Sequence, residues 1–594
     1  MGYLLKKINQ HSKRVFFQGN RSSDLYLDYI LNSLNGYDLN YIDEQLSAID
    51  KRPFLDQYRR AVLGRIANIL SFQIKNNQNT KHMGLLKNLI FTLIEDMLSS
   101  EPSFGADFLM IELYFALTNI KGIIEDYVYS EFIVMLKKID PFVMNEINCR
   151  KTPVEKQHNF VIYSMTGEYL RELLTGVDCS EYLLENWKIQ KTKFDLNGMY
   201  RDPEQPMLYD LTVRAHLAFM LHMGYEGEIK KEIEDILMKS SMDTLFYLSS
   251  EFCFPYGGRS NSYHMNETLV ACLCEYYADK YHQMNEIKIA GSFKRAARKS
   301  VEKLKRWDGH HLKNFFDKDT NYGGDYYGTY DAYMVTSACF LLMGYTMMNN
   351  KIREYTTPSE FGGYIIRTTD DFHMLFANCC KYSVQLDYQG NMKYESNGLG
   401  RVHHKDIPIE LALSMPFSSN PAYLTGEYKQ NKGRAIGAGW LEDGKEVYLA
   451  EQPLTKPAFI HEHGESRKAV RVEINYFLKQ GKITEWIQID KKGIHIFCSS
   501  DFAPVFYHIP VLIDNGKETT LQEMTYKSLK NCLGQYSYIV KWDDTLSCTL
   551  RTDRLYNRSG IYKSLIVHGT GNEMNIHLKM KKEGRLNGKI KKKK

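Results

Sequence analysis

Four short polar stretches interrupt otherwise apolar, helix-like sequence, and each holds residue types able to move a proton or hold an anion. The densest runs from Phe254 through Pro255-Tyr256-Gly257-Gly258-Arg259-Ser260-Asn261-Ser262-Tyr263-His264 to Glu267. Proline and paired glycines make a loop at a helix mouth, where Arg259, Asn261, Tyr263 and His264 offer a cation, an amide, a phenol and an imidazole to one ligand. A capped helix start, with Asn261 or Asn266 as the cap, accounts for the same residues without function. The second stretch, Tyr322 to Tyr333, carries Gly323-Gly324 and Gly328 and brings Tyr327 and Tyr330 to another helix mouth. Both are candidates for proton transfer, with packing of that mouth as the alternative. Gln157-His158-Asn159-Phe160 opens a third helix, and Asp202-Pro203 with Pro206, Tyr209, Asp210 and Arg214 opens a fourth. If helical hairpins close into a ring, these mouths can face one cavity, and we expect Asn159, Tyr209, Arg259, His264 and Tyr330 to line it.

Two further strings lie in the second half of the chain: Gly398-Leu399-Gly400-Arg401-Val402-His403-His404 and His461-Glu462-His463-Gly464-Glu465-Ser466-Arg467. Alternate residues of a strand point the same way, so His461 and His463 could share a metal. Histidines at this spacing serve more often at surfaces and interfaces. We therefore assign no metal and no cofactor, and expect His403, His461 and His463 to contact substrate at the seam between two domains.

The elements that must position these residues differ along the chain. Up to about Met348 the apolar residues recur at helical spacing, as in Leu85, Leu86, Leu89, Ile90, Leu93, Ile94, Met97 and Leu98. Further stripes run through Phe108 to Leu117, Ile123 to Leu136, Phe160 to Leu174, Tyr209 to Met223, Ile229 to Leu237, Thr268 to Tyr281 and Ala332 to Met347. So many helices must bury their stripes against each other, in a solenoid or a toroid of helical hairpins. After Asn349-Asn350, Pro358 and Gly362-Gly363 punctuate a passage into period-two alternation, as in Val470, Val472, Ile474 and Tyr476. Lys491-Lys492-Gly493 reads as a tight hairpin between Trp486 to Asp490 and Ile494 to Cys498. Closely spaced strands without intervening helices predict an antiparallel sandwich. The expected fold is thus α+β and multidomain, with an incomplete (α/α) toroid over 1–350 and an antiparallel β-sandwich over 351–594 that ends in a basic tail.

Composition excludes several classes. The chain has 594 residues and a net charge of only +5, part of it in the terminal run through Lys594, while acidic and basic residues interleave elsewhere. That pattern lacks the basic face of a nucleic-acid binder. No apolar stretch is long enough to span a bilayer, and Met1 to Lys7 leads into polar sequence rather than a secretory core. Eleven cysteines in irregular positions suit reduced thiols. We expect a cytoplasmic protein without membrane or nucleic-acid partners; its oligomeric state is not legible. No phosphate-binding glycine loop, dinucleotide fingerprint, zincin helix or nucleophile elbow is present. The aromatic content is high, with 42 tyrosines and 29 phenylalanines. Tyrosine presents a flat apolar face and a hydroxyl, which suits a cleft that stacks on a sugar ring and hydrogen-bonds its edges.

These residues, in the order helical then β, resemble the polysaccharide lyases that join an (α/α) toroid to an antiparallel β-sheet domain, the heparinase II/III-like and alginate-lyase group. Gly258-Arg259-Ser260-Asn261 and Gly400-Arg401-Val402-His403 are similar to strings in bacterial relatives and in exo-acting rhamnosyl-glucuronate lyases. The resemblance implies β-elimination on uronate-containing oligosaccharides. It implies Asn159 as the side chain that neutralises the uronate carboxylate, and Tyr263, His264 and Tyr330 as proton carriers, with acid and base unassigned. It implies His158, Tyr209, Arg259, Asn261, Tyr327, His403, His461 and His463 as substrate contacts. The missing secretory core departs from extracellular polymer degraders and favours imported oligosaccharides. Two other classes stay open. A glycoside hydrolase on the same toroid needs two carboxyl groups, for which Asp210, Glu267 and Asp331 are candidates. A non-catalytic glycan-binding protein keeps the aromatic and arginine contacts and needs no proton carriers.

Overall fold

The computed structural model describes residues 2–48, 54–55, 59–99, 105–260, 262–304, 330–390, 393–419, 432–543, 547–569 and 571–583. Within these, the chain forms two compact units. The first comprises Met1–Leu245, Tyr263–Lys305 and Gly328–Thr357; the second includes Phe246–Ser262 and everything from Pro358 onward.

Six helices of the first unit are apolar nearly all round, the signature of elements buried on every side. They are α1 (Arg60–Lys75), α2 (Leu109–Ile120), α3 (Phe160–Thr175), α4 (Met207–His222), α5 (Met265–Gln283) and α6 (Tyr330–Met347). In α4 all but one residue from Met207 to Leu221 is buried. The intervening helix Asp126–Lys137, by contrast, buries only Phe132 and Leu136. That is the pattern of an inner layer with a second layer of one-sided helices outside it. The inner helices pack in sequence, α1 on α2, α2 on α3, and so on to α5 on α6. Helix α6 then packs on α1, so the toroid is closed rather than incomplete. Packing is close: a Cβ at Gly344 of α6 would lie 2.9 Å from the Cys272 backbone of α5, so glycine there sets how near the two helices come.

The second unit is built from antiparallel sheets. A four-stranded meander joins β1 (Tyr364–Arg367), β2 (Met374–Cys379), β3 (Tyr382–Asp387) and β4 (Gly398–His404). Strands β5 (Gly437–Glu442) and β6 (Lys445–Tyr448) form one edge of a six-stranded sheet that continues through β11 (Val505–Asp514), β17 (Gly560–His568) and β15 (Ser547–Leu550), with β16 (Leu555–Asn557) beside β17. The eight-stranded sheet holds β7 (Lys456–Glu465), β8 (Ala469–Phe477), β9 (Lys482–Asp490), β10 (Gly493–Ser500), β12 (Leu521–Thr525), β13 (Ser528–Leu533), β14 (Tyr536–Trp542) and β18 (Glu573–Lys582). Its spatial order is β12-β13-β14-β18-β10-β9-β8-β7. The predicted Lys491-Lys492-Gly493 turn joins β9 to β10, with Asp490 opposite Gly493. Alternate residues such as Val470, Val472, Ile474, Ile487, Ile489, Ile494 and Ile496 enter one shared apolar core.

The segment Phe246–Ser262, which lies between two helices in sequence, packs with these sheets. Buried Arg401 on β4 donates to the carbonyls of Tyr247 (3.2 Å) and Phe254 (3.0 Å). Gln385 on β3 donates to the Tyr256 carbonyl at 2.6 Å and accepts from the Tyr256 N–H at 3.2 Å. The Tyr247 ring stacks on Phe376 of β2. Gly400 must be glycine here, because a Cβ would meet the Tyr256 hydroxyl at 2.2 Å. The strings around Gly258 and Gly400 are therefore two halves of one clasp. No described helix is long and apolar enough to cross a membrane, and all eleven cysteines are free thiols.

Candidate functional site

Each inner helix of the ring returns through an outer one, so α1 to α6 run in the same direction. The rings of Phe108 and Tyr163, 4.6 Å apart, join the starts of α2 and α3, and those of Tyr263 and Tyr333, 5.0 Å apart, join the starts of α5 and α6. The starts of α2 and α3, and of α5 and α6, thus lie side by side, and the partial positive charge of helix N-termini favours an anionic ligand there.

At the mouth of α3, fully buried Asp202 organises two of the expected residues. It accepts from the Asn159 backbone N–H at 2.6 Å and from Asn159 Nδ2 at 3.3 Å, and lies 3.1 Å from His158 Nδ1. One amide proton of Asn159 is thereby committed and the group is held in one orientation. His158 stays 39% exposed. At the mouth of α5, His264 Nδ1 lies 2.7 Å from the Tyr29 hydroxyl and 3.0 Å from Ser337 Oγ of α6. Tyr29, on the helix Ser22–Asn32, also stacks on the His264 ring. Tyr209 and Tyr330 lie half-buried in the first turns of α4 and α6.

Within the ring a second polar group follows. His264 contacts Ser337, and Phe340 one turn further along α6 packs on His216 of α4. The His216 ring lies 3.8 Å from that of Tyr163 on α3. Nδ1 of His216 donates to the Thr212 carbonyl at 2.8 Å, so Nε2 keeps a lone pair. Burial pushes the His216 pKa down to about 4, leaving a neutral imidazole. Glu112 of α2 accepts from Asn68 of α1 at 2.6 Å and lies 3.8 Å from Arg65. Burial raises its carboxyl and Arg65 opposes the rise. These residues, like Tyr29, sit singly in apolar helices, where sequence periodicity reads only core.

The remaining expected contacts are placed differently. Arg259 belongs to the segment that folds with the sheets, while Tyr263 and His264 belong to the ring. Asn261 and Tyr327 lie outside the described residues. His403 is fully buried, its Nδ1 2.9 Å from Ser249 Oγ and its Nε2 3.1 Å from Ser414 Oγ, so both ring nitrogens are engaged. His461 and His463 are exposed on β7, stacked at 4.2 Å, with His463 Nε2 2.8 Å from Glu473. Among the carboxylates considered for hydrolysis, Asp210 is fully buried and doubly bonded to Arg214 at 2.6 and 3.0 Å, and also accepts from the Tyr200 N–H.

Two sets of described residues could hold a metal. One is His461, His463 and Glu473; the other is His373 with buried Asp387 and Glu395. His373 Nδ1 lies 2.8 Å from Asp387 and its Nε2 3.7 Å from Glu395. Asp387 Oδ2 has no hydrogen-bond partner, so the second set offers hard oxygen and imidazole ligands together with an unused lone pair.

No protein-family model and no curated protein sequence matches the chain. Among solved structures it is similar to a heparinase III, at 11% identity and a TM-score of 0.46 over 98% of this chain and 85% of that one. It is also similar to a chondroitinase AC lyase, at 9% identity and a TM-score of 0.41 over 94% and 83%. A 4-alpha-glucanotransferase from Thermococcus litoralis matches over 62% of this chain and 55% of its own, at 9% identity and a TM-score of 0.26.

Proposed function

We propose that the chain is a carbohydrate-active lyase that cleaves uronate-containing oligosaccharides by β-elimination at the N-terminal rim of the helical ring. The observation that carries this reading is the contact of His264 Nδ1 with the Tyr29 phenol, 2.7 Å apart, at the mouth of α5. In the reaction a base takes the C5 proton, its electrons form the C4–C5 double bond, and the C4–O bond breaks as the leaving oxygen is protonated. The imidazole and phenol, joined by a hydrogen bond, can accept the first proton and supply the second. Charge builds on the uronate carboxylate only as the C5 proton leaves, so donors aimed there act on the transition state. Asn159, oriented by Asp202, supplies such a donor, and the N-terminus of α3 adds to it. Tyr209, Tyr263 and Tyr330 provide further aromatic and hydroxyl groups at the same ends of the helices.

Commitment of Asp210 to Arg214 removes Asp210 from the carboxylates available for hydrolysis and leaves Glu267 and Asp331, because a general acid needs a carboxyl free to exchange its proton. The test is a screen of uronate-containing oligosaccharides for the ultraviolet absorbance of a 4,5-unsaturated product. Growth of that absorbance, lost in His264→Ala, is the expected result; sugar release without it overturns the reading.

A further inference from the structure

The outer face of the eight-stranded sheet carries two rows of side chains that cross the strands. Register aligns Glu473, Trp486, Phe497 and Asn575 on β8, β9, β10 and β18. One step along the strands it aligns Arg471, Gln488, His495, His577 and Lys541 on β8, β9, β10, β18 and β14. Between them lies a groove of about 400 Å³ lined by both rows.

The two rows differ in chemistry. Trp486 is 39% exposed, and one of its faces is already covered by the His463 ring at 4.2 Å. Phe497 stands opposite it. In the second row His495 and His577 stack at 4.3 Å, and Arg471 is oriented by Gln488, to which its Nε donates at 2.7 Å. Among the described residues neither Arg471 nor Lys541 forms an ion pair with a carboxylate. Asp543, which also lines the groove, accepts from Asn575 at 3.0 Å. The groove therefore pairs an apolar, ring-shaped wall with two cations, Arg471 and Lys541, that form no ion pair among the described residues. Neighbouring strands stand ~4.8 Å apart, close to the advance per sugar of an extended pyranoside chain. A chain lying across the strands meets one side chain of each row per residue.

We propose that this face is a second carbohydrate-binding surface, on which an acidic oligosaccharide lies across β8, β9, β10, β18 and β14 with rings over Trp486 and Phe497 and anionic groups at Arg471 and Lys541. It shares with the lyase reading only the class of ligand. Stacking of sugar faces on Trp and Phe supplies contact area, and the two cations select acidic over neutral chains. The arrangement is a surface for holding a chain, and its titratable groups Arg471, His495, His577, Lys541 and Asp543 are half-buried or exposed.

The experiment uses the full chain carrying His264→Ala, so that bound sugar is not consumed. It is titrated with a hexa-galacturonate and with neutral maltohexaose, by calorimetry and tryptophan fluorescence. Binding of the acidic hexamer, at least tenfold weaker after adding Trp486→Ala or Lys541→Ala and weaker with rising salt, is the expected result. Lys541 is exposed, so its variant tests the surface even if Trp486→Ala disturbs the sheet. Unchanged affinity in the Lys541→Ala and Trp486→Ala backgrounds, or equal affinity for maltohexaose, overturns the proposal. With His264 intact, Trp486→Ala should keep full turnover of short substrates. Binding without any turnover in the unmutated chain removes the lyase reading and leaves this one standing.

Discussion

The two units treat buried charge differently. In the ring, three buried carboxylates are matched to cations: Glu168 to Arg171 at 2.6 Å, Asp210 to Arg214 at 2.6 Å and Glu275 to Lys294 at 2.7 Å. In the sheet unit, fully buried Glu485 on β9 meets the Tyr507 hydroxyl at 3.0 Å and, among the described residues, no cation, and burial pushes its pKa up to about 7. A pair of opposite charges resolves desolvation with both groups ionised, whereas a lone acid resolves it by holding its proton. Against the ring's habit of pairing, its rim stands out. Asp202 there is buried on an amide, a backbone N–H and an imidazole, and His264 sits on two hydroxyls. Three buried carboxylates of the ring are locked in ion pairs, whereas Asp202 and His264 are held by amide, imidazole and hydroxyl groups.

That contrast can be broken most decisively at His264. His264→Ala should lower kcat by about 10²- to 10⁴-fold with a much smaller change in KM, because proton transfer belongs to the transition state. Steady-state kinetics on a uronate oligosaccharide, with circular dichroism to confirm folding, measures it. Asp210→Ala should act on stability instead. It leaves Arg214 buried without its partner and should cost about 3–5 kcal/mol in denaturant unfolding, while the milder Asp210→Asn should retain turnover. Loss of activity in a stable Asp210→Asn protein would erase the distinction between structural and chemical groups in the ring.

The sheet unit supplies the pH test. The Glu485 carboxyl is raised from an ordinary 4.5 to about 7, so the folded state holds a proton the unfolded state has released. Its contribution to stability is fully present below pH 4.5 and is lost as pH rises through 7, by about 3 kcal/mol in all. Glu485→Gln should flatten that fall, read as the midpoint of urea unfolding between pH 5 and pH 8. A smaller effect is expected at Tyr29. Tyr29→Phe removes the phenol of the proton-transfer pair with His264 and should reduce kcat by about 10²-fold, the low end expected for a proton carrier, with stability nearly unchanged.

Periodicity revealed most of the ring, because an inner helix must be apolar over long stretches and its stripe is local information. The predicted Phe160 to Leu174 falls within α3, and Tyr209 to Met223 runs one residue past the end of α4. Polar interruptions likewise pointed to His158, Asn159 and His264, since a polar cluster at a helix mouth breaks the same pattern. Phe246–Ser262 could not be placed this way: its partners Arg401, Gln385 and His403 lie more than 120 residues on, and such contacts leave no period in the sequence. Tyr29 and His216 escaped for the opposite reason. Each is a lone polar-edged ring in an amphipathic or apolar helix, and only the closed ring of helices shows what it faces.

The most direct measurement of the central claim is the mass of the products from a single uronate-containing oligosaccharide. Elimination predicts two fragments whose masses sum to that of the substrate, one of them unsaturated, with both lost in His264→Ala. Fragments that together carry one additional water, and that persist in His264→Ala, would contradict it.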